Sequence, residues 1–320
     1  MKVVIAGGSG QVGQILSRYF AAGGHEVVIL TRRPRRMGCA RAVQWDGEGG
    51  GTWTRELDGC DILIGLAGRS VNCRYTPENR HLIKASRVNS VRVLGGAIQR
   101  VSSPPRLWLQ ASTATIYAHT YGAAHTETCG TIGGSEPDAA DTWNFSIDVA
   151  TAWEEALRGV GSLPNTRTVL LRSAMTMSPD AGGVFDTFLR LVRLGLGGTI
   201  GDGRQFVSWI HEKDFVRAVE WLIGNSEFTG IVNLAAPTPI PNAQFMRILR
   251  QAWGMPAGLP ASGFILEFGA WLMQTETELV LKSRRVVPER LLQGGFSFSF
   301  PEWEGAAEDL CQQIKNRAIP

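Results

Sequence analysis

Val3-Val4-Ile5-Ala6-Gly7-Gly8-Ser9-Gly10-Gln11-Val12-Gly13 stands almost at the first residue of the chain. Four apolar residues in a row read as a strand buried on both faces, because no alternation leaves one face to water. The glycines at 7, 10 and 13 give the spacing GxxGxxG, and an amphipathic stretch from Gln11 to Ala22 follows until Gly23-Gly24 ends it. The three glycines serve different physical ends. Gly7 permits the tight turn, Gly10 lets a pyrophosphate reach the backbone, and Gly13 lets the helix lie close to the sheet. Ser9, Gln11 and Val12 fall in the same turn, where free N–H groups and the helix dipole favour an anion. A plain tight β–α turn would show similar glycines; the buried strand just before them is what argues for a bound dinucleotide.

The end of the second predicted strand, Glu26 to Thr31, distinguishes one dinucleotide from the other. A site for NAD places a carboxylate there to take the ribose 2′-OH. Here the chain reads Thr31-Arg32-Arg33-Pro34-Arg35-Arg36, with no acid and with Arg32 near the expected position. A guanidinium pairs with phosphate in bidentate fashion, so NADP(H) is the expected cofactor. Arg33, Arg35 and Arg36 read as ordinary surface residues of an arginine-rich chain.

Further along, apolar runs alternate with helical periodicity. Val43–Trp45, Asp61–Leu66, Arg106–Ala111 and Thr168–Arg172 read as strands, and Pro77–Arg100 and Phe145–Val160 as helices. This order predicts an α/β protein, a parallel sheet with helices on both faces. Residues 118–142 show no period and read as a functional or mobile loop. In the second half, helices are expected over Phe185–Leu194, Lys213–Ile223, from an Asn242 cap to Trp253, over 264–281 and over 303–316. Phe206–Ile210 and Ile231–Ala235 read as strands there.

Composition narrows the function classes. The 320 residues are 44% hydrophobic and 19% charged, which is globular rather than disordered. A net charge of +3 with no basic stripe gives no support for nucleic-acid binding. Five scattered cysteines without a CxxC pair point to a reducing cytoplasm. The first residues lack the pattern of a signal peptide, and the apolar run Phe264–Met273 is too short to span a bilayer. His119, His125, Glu127 and Cys129 match no structural zinc spacing, so no metal is expected. His211, before Asp214, reads as a hydrogen-bonding core histidine.

Several segments together carry a family resemblance: Gly7–Gly13, Leu66-Ala67-Gly68, Ser112–Tyr117, Gly203–His211, Ile231–Pro237 and Val287–Leu292. The chain resembles the extended short-chain dehydrogenase/reductase superfamily. Within it, the chain is similar to divergent epimerase family proteins that carry a C-terminal domain of unknown function. The resemblance implies a Rossmann-like NADP-binding domain (1–172 and 206–236). A smaller, mostly helical C-terminal substrate or partner domain (173–205 and 237–320) completes the chain. By position it implies that Leu66, Ala67 and Gly68 line the nicotinamide ribose, and that Arg87 and Ala111 contact cofactor. Thr113 would bind the reacting oxygen, and Arg204 and Gln205 would enter the substrate side. Such relatives often dimerise through paired helices, which makes a homodimer the expected assembly.

The superfamily's acid–base pair is a tyrosine with a lysine one helical turn later. On the matching stretch, Phe145-Ser146-Ile147-Asp148-Val149-Ala150, serine and alanine stand at those positions. No alignment restores the lysine, since none occurs between Lys84 and Lys213. The tyrosines nearest Thr113 are Tyr117, the expected catalytic substitute, and Tyr121, expected at the substrate. Tyr117 packing under the loop is an equal alternative. Asp148 and Glu154 are further acids, with a solvated helix residue the plain reading of Glu154. The sequence therefore predicts an NADP(H)-dependent oxidoreductase or epimerase-like enzyme acting on a small molecule. The alternative is an NADP(H)-sensing protein without catalysis.

Overall fold

The computed structural model describes residues 1–35, 38, 40–136, 139–260 and 281–317. Arg36 and nearly all of the helical pattern over 264–281 lie outside them. The chain runs from β1 (Lys2–Ala6) through the glycine turn into α1 (Gln11–Ala22), then β2 (Glu26–Thr31), β3 (Arg41–Gln44) and β4 (Ile62–Gly65). α2 (Pro77–Ile98), β5 (Leu107–Thr113), α3 (Asp141–Arg158) and β6 (Arg167–Ser173) follow. Next come β7 (Met175–Met177), α4 (Val184–Arg193), β8 (Phe206–Val207), β9 (Trp209–His211), α5 (Glu212–Gly224) and β10 (Gly230–Leu234). β11 (Ile240–Pro241), α6 (Asn242–Trp253) and two later helices, Glu289–Gln293 and Trp303–Arg317, complete the described elements.

Seven strands form one parallel sheet in the order β10-β6-β5-β4-β1-β2-β3. The Rossmann-like α/β class read from the sequence is the one observed. The strand order steps outward in both directions from β1, so a crevice opens at the carboxyl ends of β1 and β4, where connections change faces.

The period of two along each strand builds two cores. Val3, Ile5, Val27 and Ile29 point to one face, against Leu16 and Phe20 of α1 and Phe215 and Leu222 of α5. Val4, Ala6, Val28 and Leu63 point to the other, against Val91 and Leu94 of α2 and Trp153 and Leu157 of α3. A third core joins Phe188 of α4, Trp209 of β9, Phe245 of α6 and Trp303. Trp303 stacks on Phe245 at 4.1 Å and donates its indole N–H to the Phe245 carbonyl at 3.0 Å. Among the described residues no helix is long and apolar enough to cross a membrane.

Three expectations change. Phe206–Ile210 is not one strand: β8 pairs antiparallel with β11, whereas β9 pairs parallel with β7. Ser208 interrupts them because its hydroxyl donates to the Arg284 carbonyl at 2.8 Å and accepts from Val286 N at 2.9 Å. Asn242 does not cap α6, where Pro241 holds the cap position; its Oδ1 accepts from Ile200 N at 2.9 Å instead. The aperiodic stretch after β5 is also tied down. His125 N donates to the Arg285 carbonyl at 2.7 Å, Val287 N to the His125 carbonyl at 3.0 Å, and Thr120 N to the Ser283 carbonyl at 3.4 Å. Its partners lie about 160 residues away, so no local pattern announces them.

Candidate functional site

The glycine turn shows three separate constraints. Gly7 is left-handed at φ +83°, and a Cβ there would lie 2.7 Å from the Ala67 Cα, so this turn and the Leu66-Ala67-Gly68 loop touch backbone to backbone. Leu66 N donates to the Ala6 carbonyl at 2.8 Å, which fixes that loop to the end of β1. A Cβ on Gly13 would lie 2.4 Å from the Gly8 Cα, so only glycine lets α1 sit this close to the turn. Gly10 differs: the nearest atom to its Cβ position is the Gly7 carbonyl oxygen at 3.9 Å, and that side is open.

The N-terminus of α1 has no side-chain cap and no acid in its first turn. The Nε2 of Gln11 is buried without a hydrogen-bond partner among the described residues. Free backbone donors, an orphaned amide and an open glycine suit an incoming phosphate. Ser9 holds the turn, taking a bond from Gln14 Nε2 to its carbonyl at 3.0 Å, and its Oγ lies 3.4 Å from the Thr31 hydroxyl. Arg32, exposed, follows Thr31 and so stands beside the turn. Val12 is half-buried against the first core, and Ala111 against the second.

On the opposite side of β4, a cavity of about 140 Å³ opens between α2, the end of β5 and α3. Thr113 and Arg87 share its wall with Ser146, which resembles the position of the missing tyrosine. Ala150, at the position of the missing lysine, is fully buried. Thr113 Oγ1 accepts from Thr115 N at 3.2 Å, so the strand-end cap is real, and the hydroxyl proton and a second lone pair remain available.

Tyr75 also lines this cavity, with its ring edge-on to Phe145 at 4.9 Å. It is not among the residues expected at the site from sequence. The signal was present: Thr76 caps α2 through Asn79 N at 3.3 Å with Pro77 behind it, which sets Tyr75 at a helix N-terminus on the crevice side.

Other candidates are placed elsewhere. Tyr117 is buried, its hydroxyl donates to Asn233 Oδ1 at 2.9 Å, and its ring stacks on His125 at 5.2 Å. Burial raises its pKa against the opposing pull of Arg172. It packs under the loop and is not on the cavity wall. Tyr121 and Arg204 are brought together, the guanidinium 5.4 Å from the ring centroid, on the exposed surface. Gln205 is buried and donates through Nε2 to the Ile200 carbonyl at 2.8 Å.

Asp148 is exposed and pairs with Lys84 at 2.8 Å. Glu154 is not solvated: it is fully buried and accepts both Nε and Nη2 of Arg172 at 2.8 Å and Ser112 Oγ at 2.6 Å. His125 Nε2 bonds the Ala118 carbonyl, His119 Nδ1 accepts from Ser283 N, and Glu127 accepts from Asn233 N. Among the described residues no cluster of such side chains could hold a metal ion.

A parallel sheet with an uncapped glycine turn at its switch point is a dinucleotide-binding architecture, and the sequence assigns it more narrowly. The chain belongs to the NAD dependent epimerase/dehydratase family, whose model matches residues 3–235. A domain of unknown function, DUF1731, matches residues 261–310. The chain is 31% identical to the bovine epimerase family protein SDR39U1 over 97% of its length and 99% of the relative. It is 30% identical to epimerase family protein YfhF of Bacillus subtilis, with 98% and 99% covered. The crystal structure of human epimerase family protein SDR39U1 with NADPH superposes with a TM-score of 0.83 at 27% identity, covering 98% of this chain and 99% of that one.

Proposed function

We propose that this chain binds NADP(H) across the glycine turn and acts on a small molecule as an oxidoreductase or a nucleotide-sugar-epimerase-like enzyme. The observation that carries the reading is the α1 N-terminus, uncapped and open at Gly10, with Arg32 and no acid at the end of β2. The human relative solved with NADPH supports the choice of dinucleotide. Gly7, Ser9, Gly10, Gln11, Val12 and Gly13 hold the pyrophosphate, and Arg32 holds the 2′-phosphate. Leu66, Ala67 and Gly68 bound the nicotinamide ribose, with Ala111 behind them.

When bound, the cofactor supplies or accepts a hydride at its nicotinamide. Thr113, held by Thr115 N, orients the oxygen of the reacting carbon with a hydrogen bond from its hydroxyl. Tyr75, on the same wall, gives or takes the proton that the residue at 146 cannot. The third core, which joins α4, β9, α6 and the Trp303–Arg317 helix, belongs to the lobe that faces the substrate.

The small side chains at Ser146 and Ala150 favour a second reading, an NADP(H)-sensing protein without turnover. One screen decides between them. Purified protein with NADPH is tested against carbonyl compounds and sugar nucleotides, with Thr113→Ala and Tyr75→Phe as controls. Turnover lost in both variants supports the enzyme. Tight NADPH binding with no turnover across the panel gives the sensing reading, and no NADPH binding removes both.

A further inference from the structure

Among the described residues ten wall the cavity beside Thr113, and Arg87 is the one charged side chain of those ten. Its guanidinium face lies 5.1 Å from the Trp153 ring centroid. Its Nη1 donates to the carbonyls of Arg69 and Ile83, both at 3.0 Å. That leaves the Nε–Nη2 edge without a hydrogen-bond partner among the described residues. Burial pushes the pKa down to about 10 against the opposing pull of Tyr75, so Arg87 is still a cation at neutral pH.

Arg87 is half-buried, so its guanidinium gives up part of its hydration with no counter-charge beside it among the described residues, which carries a cost. The other polar groups on the described wall are hydroxyls and the Trp153 indole N–H, and none can supply a negative charge near pH 7. A neutral sugar would leave the cost in place. A carboxylate would remove it, because two oxygens match one guanidinium edge. The room of about 140 Å³ suits a single ring-sized group rather than a whole nucleotide. Ser146 on its wall leaves that room open, standing where the resemblance would place a phenol.

We propose that this cavity takes a carboxylate-bearing substrate, with its carboxylate on the Nε–Nη2 edge of Arg87 and its reacting oxygen toward Thr113. The assignment rests on reading the crevice as a cofactor-dependent site, and the test keeps the two apart.

Benzoate with benzamide, and isobutyrate with isobutyramide, are matched in shape and differ in charge. Each is titrated by calorimetry into the full chain, alone and saturated with NADPH, whose binding is followed separately by fluorescence. The acid of each pair binds at least about tenfold tighter than its amide. Arg87→Met abolishes that preference, and Arg87→Lys, which keeps the charge but not the fork, reduces it; melting curves confirm that both variants fold. The proposal falls if acid and amide bind alike, if neither binds at millimolar concentration, or if Arg87→Met keeps the preference. Loss of acid binding on saturation with NADPH also overturns it, since the edge then serves the dinucleotide. Acid binding without any NADPH binding supports the Arg87 site and refutes the cofactor reading instead.

Discussion

Gly10 and Gly13 are three residues apart in one turn, yet alanine at each should fail in a different way. At Gly13 the new methyl would meet Gly8 Cα at 2.4 Å and Gly8 O at 2.6 Å. Gly8 cannot retreat, because its own Cβ direction already faces Ile29 and Ile5 at 3.0 and 3.1 Å. Overpacking against fixed neighbours costs about 1–3 kcal/mol, and backbone contact argues for the upper end. At about 2–4 °C per kcal/mol, Gly13→Ala should lower the Tm by about 5–10 °C. Gly10 has φ −77° and ψ 171°, which any residue adopts, and open space at its Cβ. Gly10→Ala loses a helix cap preference of about 1 kcal/mol at most. Its methyl stands where phosphate must reach the backbone, and lost charge-assisted bonds of about 1.5–3 kcal/mol raise the NADPH dissociation constant about tenfold or more. Thermal melts and NADPH fluorescence titrations on both variants read the two effects. Unchanged NADPH affinity in Gly10→Ala, or unchanged stability in Gly13→Ala, refutes the division of labour.

Arg32→Ala should weaken NADPH binding about tenfold and leave NADH nearly unaffected; equal affinity of the native chain for both would end the 2′-phosphate role. Glu154→Leu should destabilise by about 3–5 kcal/mol, since Arg172 is left buried and unpaired, whereas Glu154→Leu with Arg172→Met should recover most of it in urea unfolding. Burial pushes His211 down from 6.5 to about 4, although Asp309 at 3.1 Å opposes this. Between those values the unfolded chain takes up a proton that the folded chain refuses, so stability falls as pH falls, by about 3 kcal/mol at most. His211→Gln should flatten that part of the pH–stability curve, and an unchanged curve would place the acid sensitivity elsewhere.

The sheet and the glycine turn were legible because their causes are local. Val3–Ala6 and the glycines at 7, 10 and 13 determine burial, turn and close approach within a dozen residues. What was not legible depends on distant partners. Nearness to Thr113 leaves a catalytic Tyr117 and one packed under the loop equally open, and Asn233, 116 residues away, is the partner of its hydroxyl. Glu154 looked solvated until Arg172 of β6 is seen to face it across the second core. Arg87 is placed at the site by the resemblance, but Tyr75, just before α2, reaches the cavity because α2 packs beside α3, a placement that no spacing in α2 itself specifies.

The ladder between the stretch after β5 and residues 283–287 gives those two segments a common fate. Amide hydrogens at His125 and Val287 are shielded by the same bonds. They should exchange with solvent in one opening event rather than at the fast rate of an exposed coil. A protease added to the native chain would therefore find this glycine- and threonine-rich stretch resistant, and would cut it only when the segment carrying Ser283 to Val287 peels away. The wall at Thr113 and Thr115 is then as durable as the grip of the C-terminal segment, with Lys282 Nζ on the Thr115 carbonyl at 2.9 Å as the last link between them.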